Sequence, residues 1–469
     1  MNDGQRPLWS GRFGIRPAPE AAALGRSVGF DVRLAPHDVA AGIAHVAALR
    51  DASVLGEADA DRLTAALAEV GQAIADGTLA IDEVDEDVHS VVERAVTERL
   101  GDLGARLHAG RSRNDLVVTD LRLWLLEAAR RLTGLTTLAI RTLVRRAREE
   151  ADTPMPGTTH ARPAQVVTLG HHLAAHAWAL LRDLDRLDAW AGRTSTSPLG
   201  AGAVATSTLG LDPAATADRL GFERPFENSI DAVSDRDFVQ EFLGVATIEA
   251  THLSRLAADL ARWTDPALAW AELDEAYSTG SSMMPQKRNP DTAELSRAKA
   301  ARITAAFVAV SGTLHGLPLG YQRDLQEDKE PAFDAAETLE RVLAATVGVL
   351  DTLRIDRDAM RTAAAAAELF ATDVAEALVR AGVPFRDAHR RTGELLRTLD
   401  GDGRSLVDLT PEEWAAFGLP EGGVLLDPER SVAARGTPGG PSPESVLRQA
   451  GAIEERLASR STGRTGRSA

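Results

Sequence analysis

The chain has 469 residues, a formal net charge of −17, 44% hydrophobic residues and only 4% aromatic residues. It contains no cysteine, which excludes disulfides, thiolate metal sites and a cysteine nucleophile. The acidic balance argues against nucleic acid as a partner, although a local cationic cluster can still bind a small anion. We expect a cytoplasmic protein without membrane contact, because the first residues do not resemble a signal peptide and no apolar run is long enough to span a membrane.

Alanine, leucine and arginine dominate the composition, which indicates a mainly α-helical fold with few strands. Residues 1–20 carry three prolines and are predicted to form an extended arm. The acidic run at 82–89 is predicted to open a helix, since carboxylates in a first turn are favoured by the helix dipole. Apolar residues at helical spacing predict further helices at about 36–51, 57–76, 116–150, 161–190, 235–263, 290–314 and 331–353.

The long helices lie in mid-chain and carry polar clusters only at their ends, which is typical of a long helical bundle. We therefore predict three domains and a tail. These are an N-terminal, mostly helical domain at 1–105, a central bundle at 106–358 and a small helical domain at 359–460. The polar tail at 461–469 is expected to be disordered.

One polar loop, residues 278–291, is the strongest candidate for chemistry. It contains Gly280, the hydroxyls of Ser281 and Ser282, and Lys287. Lys287 is one of only three lysines in the chain, so a specific role for its compact charge is favoured. Asn289 and Pro290 are predicted to start the next helix, whose free N–H groups can bind an anion. The competing interpretation is a simple polar connection between helices.

Other polar clusters support a site for a small anionic substrate. Residues 108–115 place Arg113 and Asn114 at the start of a long helix, which suits a carboxylate. His160 follows a proline-rich break, although a lone histidine is more often a surface or core residue. Residues 321–330 are highly charged, and such a run is usually a solvated face.

Several of these motifs together resemble the fumarase/aspartase superfamily. Residues 280–290 read GSSMMPQKRNP and resemble its signature loop. The remaining motifs resemble the argininosuccinate lyase branch, in chain order: LWSGRF at 8–13, DEDVH at 85–89, GRSRND at 110–115, TH at 159–160, NSID at 228–231, DLQEDKE at 324–330 and VPFRDAH at 383–389.

The resemblance implies a mainly helical, three-domain subunit and a homotetramer built around a central core of helices. It implies active sites shared between subunits, no cofactor and no metal. The implied reaction is the elimination that converts argininosuccinate to arginine and fumarate, in arginine biosynthesis.

The resemblance also implies roles for single residues. Ser281 corresponds to the catalytic serine of the mobile loop, His160 to its partner histidine, and Glu294 to the acid that orients that histidine. Lys287 and Asn289 correspond to groups that bind the carboxylates of the fumarate half. The other implied substrate-binding residues are Ser27, Arg113, Asn114, Thr159, Tyr321, Gln326 and Lys329. Asp87 belongs to a matched motif with no assigned role.

The chemistry needs a base for a weakly acidic carbon-bound proton and an acid for the departing guanidino nitrogen. Ser281 can serve as the base if loop N–H groups and Lys287 activate it. Alternatively, His160 paired with Glu294 is the base and Ser281 the donor. The sequence leaves both assignments open.

The sequence departs from the family's usual pattern at four positions, namely Leu116, Ala161, Arg162 and Pro266. These changes are either neutral repacking or the mark of a paralogue that releases fumarate from another N-substituted aspartate. A third hypothesis is a lyase-like protein kept for structure without catalysis. The presence of Ser281, His160 and Lys287 argues against it.

Overall fold

The computed structural model describes residues 18–82 and 85–465, with side chains described as far as residue 460. The LWSGRF motif, most of the predicted arm and two residues of the acidic run lie outside the described residues. The described chain is mainly α-helical with few strands, as predicted. Its α-helices are α1 Pro19–Gly25, α2 Val28–Asp31, α3 Ala35–Asp51, α4 Glu57–Ala75, α5 Val88–Leu100, α6 Asp102–Ala105, α7 Arg113–Glu149, α8 Leu169–Thr194, α9 Pro213–Leu220, α10 Ser229–Ser234, α11 Asp237–Trp263, α12 Asp291–Leu314, α13 Lys329–Thr352, α14 Arg357–Ala364, α15 Ala371–Arg380, α16 Phe385–Gly401, α17 Pro411–Phe417, α18 Pro428–Ala433 and α19 Pro443–Thr465.

The strands are short and form four two-stranded pairs. They are β1 Pro154–Thr159, β2 Arg162–Thr168, β3 Thr196–Ser197, β4 Arg224–Pro225, β5 Ala271–Glu272, β6 Thr279–Gly280, β7 Arg288–Asn289 and β8 Arg354–Ile355. The β1–β2, β5–β8 and β6–β7 pairs are antiparallel, and β3–β4 is parallel. The longest pair, β1–β2, corrects the prediction of a helix running on from His160, because α8 begins only at Leu169.

The described helices agree closely with the other predicted ranges. The longest is α7, with 37 residues, followed by α11 with 27. Asp87 caps α5 by accepting a hydrogen bond from the Ser90 N–H at 2.8 Å, so the acidic run does open a helix. The last helix, α19, extends into the segment predicted as a tail, and residues 466–469 lie outside the described part.

The described chain forms two compact units. The first contains residues 18–82, 85–132, 186–247 and 302–339, and the second contains residues 133–185, 248–301 and 340–465. In the first unit, α3, α4 and α5 bury an aliphatic core that includes Leu49, Leu63, Leu67 and Val92. Trp124 packs edge-on against Phe333 in the same unit, with ring centroids 4.4 Å apart.

The second unit has two small cores. Val166 of β2 packs with Phe370 and Val432, and Trp414 packs with Val374, which lies on α15. In neither unit does a described helix combine the length and the apolar character required to cross a membrane.

Candidate active site

His160 lies at the tip of the β1–β2 hairpin in the second unit. Thr159 pairs with Arg162 across the hairpin, so His160 and Ala161 form the two-residue turn. Both turn residues have left-handed backbones, with φ of 53° and 59°, which is the geometry that matches a right-handed hairpin twist. The His160 ring is exposed and, among the described residues, has no hydrogen-bond or ion-pair partner. It is therefore presented outward from a rigid support.

The loop at 281–287 is closed at its base by the short β6–β7 pair, in which Gly280 pairs with Arg288. Inside the loop, the Ser281 hydroxyl oxygen accepts hydrogen bonds from the backbone N–H of Met283 at 3.3 Å and of Met284 at 3.0 Å. Two donors aimed at one hydroxyl oxygen favour negative charge on that oxygen. The geometry therefore suits a serine that loses its proton during a reaction.

The rest of the loop is anchored on either side. Arg288 forms ion pairs with Glu272 and Glu275, and the Asn289 amide donates to the Gly280 carbonyl at 3.4 Å. The helix after the loop begins at Asp291, one residue later than predicted. Asn289 therefore lies in β7 instead of capping the helix, and the Pro290 carbonyl accepts the first helical hydrogen bonds.

Lys287 and Glu294 are exposed in the second unit. The Lys287 ammonium has no ion-pair partner among the described residues, whereas Glu294 lies 3.8 Å from Arg297 one turn along α12. Neither side chain is engaged with His160 within the described chain. The predicted pairing of Glu294 with His160 stays a prediction.

In the first unit, Ser27 is held against the acidic run. Its hydroxyl donates to Asp31 at 2.6 Å, and its backbone N–H donates to the Glu86 carbonyl at 2.8 Å. Asp31 also accepts from the Val88 N–H at 3.0 Å. Ser27 is buried in this position, so its hydroxyl is fixed by its neighbours.

Arg113 joins the same cluster from the start of α7. Its guanidinium donates to Asp87 at 3.2 Å and to the Ser90 hydroxyl at 3.1 Å. Burial would raise the pKa of Asp87, but His89 and Arg113 outweigh burial and hold that pKa below its ordinary value. Asn114 points elsewhere, and its amide makes a long hydrogen bond of 3.4 Å to the Ala203 carbonyl.

Tyr321 precedes a short 3₁₀ segment that contains Gln326, and Lys329 follows this segment as the first residue of α13. Gln326 donates to the Gly25 carbonyl at 3.2 Å, close to Ser27 in the chain. Lys329 is almost fully buried and donates to Asp328 at 2.9 Å. Burial raises the pKa of Tyr321, which keeps its phenol protonated. Asp328 and Lys329 are therefore internal, whereas Arg323, Asp324, Glu327 and Glu330 are exposed, as expected for a solvated face.

The sequence analysis missed a buried triad beside this cluster. The His89 ring is hydrogen-bonded to Asp38 and lies 3.6 Å from Asp120. Burial lowers the pKa of His89, but the hydrogen bond to Asp38 and the negative charges of Asp38, Asp87 and Asp31 together outweigh burial, and the net pKa is raised. Burial also raises the pKa of Asp120 well above the ordinary value. No local signal links these three residues, since Asp38 and Asp120 lie on other helices.

The structure therefore brings the predicted residues together in two groups. The first unit collects most of the predicted substrate-binding residues, namely Ser27, Arg113, Tyr321, Gln326 and Lys329, around the acidic run. The second unit presents Thr159 and His160 on its hairpin, Ser281, Lys287 and Asn289 on or beside its loop, and Glu294 on α12. Asn114 lies in the first unit but faces the Ala203 carbonyl. The fold and the serine-bearing loop define the class as a mainly α-helical lyase of the fumarase/aspartase type.

Comparisons with known proteins refine this class. A model of the family described as "Lyase" matches residues 11–305, and one described as "Argininosuccinate lyase C-terminal" matches residues 368–433. An argininosuccinate lyase of Frankia casuarinae is 46% identical over 96% of this chain and 98% of its own length. That of Kineococcus radiotolerans is 47% identical over 97% of each chain. The chain belongs to the argininosuccinate lyase family.

A solved structure of an EDDS lyase in complex with formate has a similar fold. Its TM-score is 0.83, with 28% sequence identity over 95% of this chain and 91% of that one. The helical subunit expected from the sequence is thereby confirmed.

Proposed function

We propose that the chain cleaves argininosuccinate into arginine and fumarate by β-elimination of a C–N bond. The observation that carries the proposal is the loop at 281–287, in which two backbone N–H groups donate to the Ser281 hydroxyl oxygen. This loop belongs to a chain that is about half identical to curated argininosuccinate lyases along nearly its whole length. Family and local chemistry therefore point to one reaction.

The elimination removes a proton from the carbon next to a carboxylate and breaks the bond from the neighbouring carbon to nitrogen. The pair that moves these protons is Ser281 and His160, with Glu294 proposed to orient His160. The intermediate is a dianion, and Lys287 and Asn289 are proposed to stabilise it because fixed donors act most strongly where charge develops. Two assignments of this pair are possible. Either Ser281 accepts the carbon-bound proton, or His160 accepts it and Ser281 donates the proton to the leaving nitrogen.

The remaining substrate contacts are proposed for Ser27, Arg113, Asn114, Thr159, Tyr321, Gln326 and Lys329. Arg113 and Lys329 supply cationic groups, and Ser27 and Gln326 supply fixed polar groups, which suit an anionic substrate with a guanidino end. Both cations already face carboxylates, Asp87 and Asp328, so their geometry is set before the substrate arrives. Pre-set geometry reduces the cost of ordering the site on binding.

We also propose a cytoplasmic homotetramer whose active sites combine residues of different subunits, with three domains per subunit at 1–105, 106–358 and 359–460. The isolated His160 ring and the unpaired Lys287 ammonium, each exposed on its own element of the described chain, support this assembly. A reactive side chain without partners in its own chain is well placed to receive them from another copy.

The direct test is fumarate release from argininosuccinate, followed by ultraviolet absorbance, with Ser281→Ala beside Ser282→Ala. Ser282 carries the same hydroxyl one position along the same exposed loop, so it is a matched control. We expect Ser281→Ala to lower kcat by at least ~100-fold, because losing a positioned proton-transfer group costs about that much. The Ser282→Ala enzyme should stay within a few-fold of the parent. Full fumarate release by the Ser281→Ala enzyme would overturn the assignment.

The alternative is a paralogous lyase that releases fumarate from a different N-substituted aspartate. The fold shared with an EDDS lyase is the observation that keeps this alternative in view. Three of the four departures favour neutral repacking. Leu116 is 1% exposed and packs in a core cluster with Ala41 and Leu199, Ala161 occupies the hairpin turn, and Pro266 lies on an exposed bend.

Arg162 is the departure that differs, because it places an exposed positive charge beside the hairpin tip. If the folded protein leaves argininosuccinate intact, a panel of N-substituted aspartates tests the alternative. Arg162→Gln, with Leu116 unchanged, then tests whether the hairpin position selects the substrate.

A further inference from the structure

Two histidines of α8 and one aspartate of α11 converge in the second unit. His172 and His176 are four residues apart, so their side chains lie on the same face of the helix. The Nε2 atoms of both rings lie against the same oxygen of Asp259, at 2.7 Å for His172 and 2.9 Å for His176. One donor atom from each of the three residues falls within 4.8 Å of the others.

We propose that His172, His176 and Asp259 form a binding site for a borderline divalent cation such as Zn²⁺ or Co²⁺. Two imidazole nitrogens and one carboxylate oxygen are a ligand set that such ions accept, with further positions open to water or another ligand. In a tetrahedral site with bonds of about 2.1 Å, the donor atoms lie roughly 3.4 Å apart. The distances of 2.7 and 2.9 Å from the histidines to Asp259 need to widen by about 0.5–0.7 Å, which side-chain rotation can supply.

The surroundings of the three residues suit an ion with exchangeable positions. The side chains of His172, His176 and Asp259 are 32%, 14% and 29% exposed, so the site is reachable yet partly enclosed. A cavity of about 250 Å³ adjoins the site and is lined in part by His171, Arg262 and Trp270. The edge of the His172 ring meets Trp263, with centroids 5.2 Å apart, which limits the orientations of that ring.

An ion at this position would link two helices, because His172 and His176 belong to α8 and Asp259 belongs to α11. The adjoining cavity is also lined by Gly157 and Thr158 of β1, on the hairpin that carries His160 at its tip. Ion binding is therefore expected to hold α8 against α11 beside this hairpin and to raise the thermal unfolding midpoint. The proposal does not rest on the proposed reaction, since ion uptake is measured without substrate.

The test is a cobalt titration of the full chain, with any affinity tag removed and bound ions first stripped by a chelator. The visible absorption of Co²⁺ reports coordination, and calorimetry with Zn²⁺ gives the stoichiometry. We expect one ion per chain. Asp259→Asn keeps the side-chain shape, and His176→Ala removes one ligand. Each should weaken ion binding by at least about tenfold, because mutating even a residue that only hydrogen-bonds to a metal ligand weakens metal affinity by about that much.

His389→Ala is the matched control, because it removes an exposed histidine from α16 of the same unit. It should bind Co²⁺ like the parent, and circular dichroism verifies that all variants are folded. Absence of cobalt uptake by the parent at millimolar concentration would overturn the proposal. Binding that is unchanged in Asp259→Asn and His176→Ala would overturn it as well, because the ion would then lie elsewhere.

Discussion

Asp328 is the residue that balances the buried positive charge of the first unit. Its two oxygens separately face Arg236 and Lys329, and the three side chains are no more than 3% exposed. Asp328→Asn leaves both cations without a counter-charge, and we expect the free energy of unfolding to fall by about 3–5 kcal/mol. Asp334→Asn breaks the exposed pair with Arg302 and should cost less than about 1 kcal/mol. Denaturant unfolding measures both. An equal loss of unfolding free energy in the two variants would mean that burial does not determine how much the Asp328 ion pairs contribute to stability.

Glu249 gives the second unit a pH-dependent stability. It is fully buried on α11, accepts one hydrogen bond from Thr136, and burial raises its pKa to about 8. Below pH 4.5 the Glu249 carboxyl is protonated in both the folded and the unfolded chain, so it does not change the free energy of unfolding with pH. Between about 4.5 and 8 only the unfolded chain ionises, so the free energy of unfolding falls as pH rises, by up to about 1.4 kcal/mol per unit.

The Glu249→Gln variant tests this dependence, because it keeps the shape of the side chain and removes the titration. We expect a flatter profile of unfolding free energy against pH in this range, with the variant more stable than the parent near pH 8. Glu455→Gln, on an exposed position of α19, should leave the slope of the parent unchanged. A parent profile as flat as that of Glu249→Gln would contradict a raised pKa.

At the scale of elements, the β1–β2 hairpin stores strain at its turn. Ala161 holds a φ of 59°, a conformation that costs a residue with a Cβ about 1–2 kcal/mol and glycine almost nothing. Ala161→Gly is therefore expected to raise the free energy of unfolding by up to about 1 kcal/mol, because the relief of strain exceeds the entropy cost of glycine. Denaturant unfolding measures this change as a higher midpoint. Gln165→Gly, at an exposed and paired position on β2 of the same hairpin, should instead cost about 0.5–1 kcal/mol. A loss in both variants would show that the turn is unstrained.

The long helices were predictable from the sequence, whereas the hairpin was not. Apolar positions at helical spacing over more than twenty residues give a strong signal, and α7 and α11 begin and end within a few residues of the predicted bounds. The hairpin strands are only six and seven residues long, and β1 contains two prolines. Its pairing depends on contacts with α14 and with the core around Phe370, which no local pattern reveals.

For the whole molecule, the sequence identified groups that lie within one segment and missed groups that are assembled from several. The loop that holds Ser281 is a local structure, since its hydrogen bonds join neighbouring residues. The Asp38–His89 pair and the His172–Asp259 pair join residues 51 and 87 positions apart. The spacing of His172 and His176 was visible in the sequence, but its carboxylate partner depends on how α8 and α11 pack.

The proposed sharing of active sites between subunits predicts a result that only the assembled protein can display. Asn114→Ala and Ser281→Ala alter different halves of the proposed site, and Asn114 can be replaced safely because its side chain makes one long hydrogen bond. Each variant alone should release little fumarate. If different subunits complete each site, mixed tetramers contain some sites with both residues intact, and fumarate release should recover. Tetramers that mix Ser281→Ala with Lys287→Met subunits should not recover fumarate release. Both residues lie on the same loop, so the loop of every subunit carries one of the two changes and no site has an intact loop. Mixed tetramers that show only the summed activity of the separate variants would mean that each subunit builds its site alone.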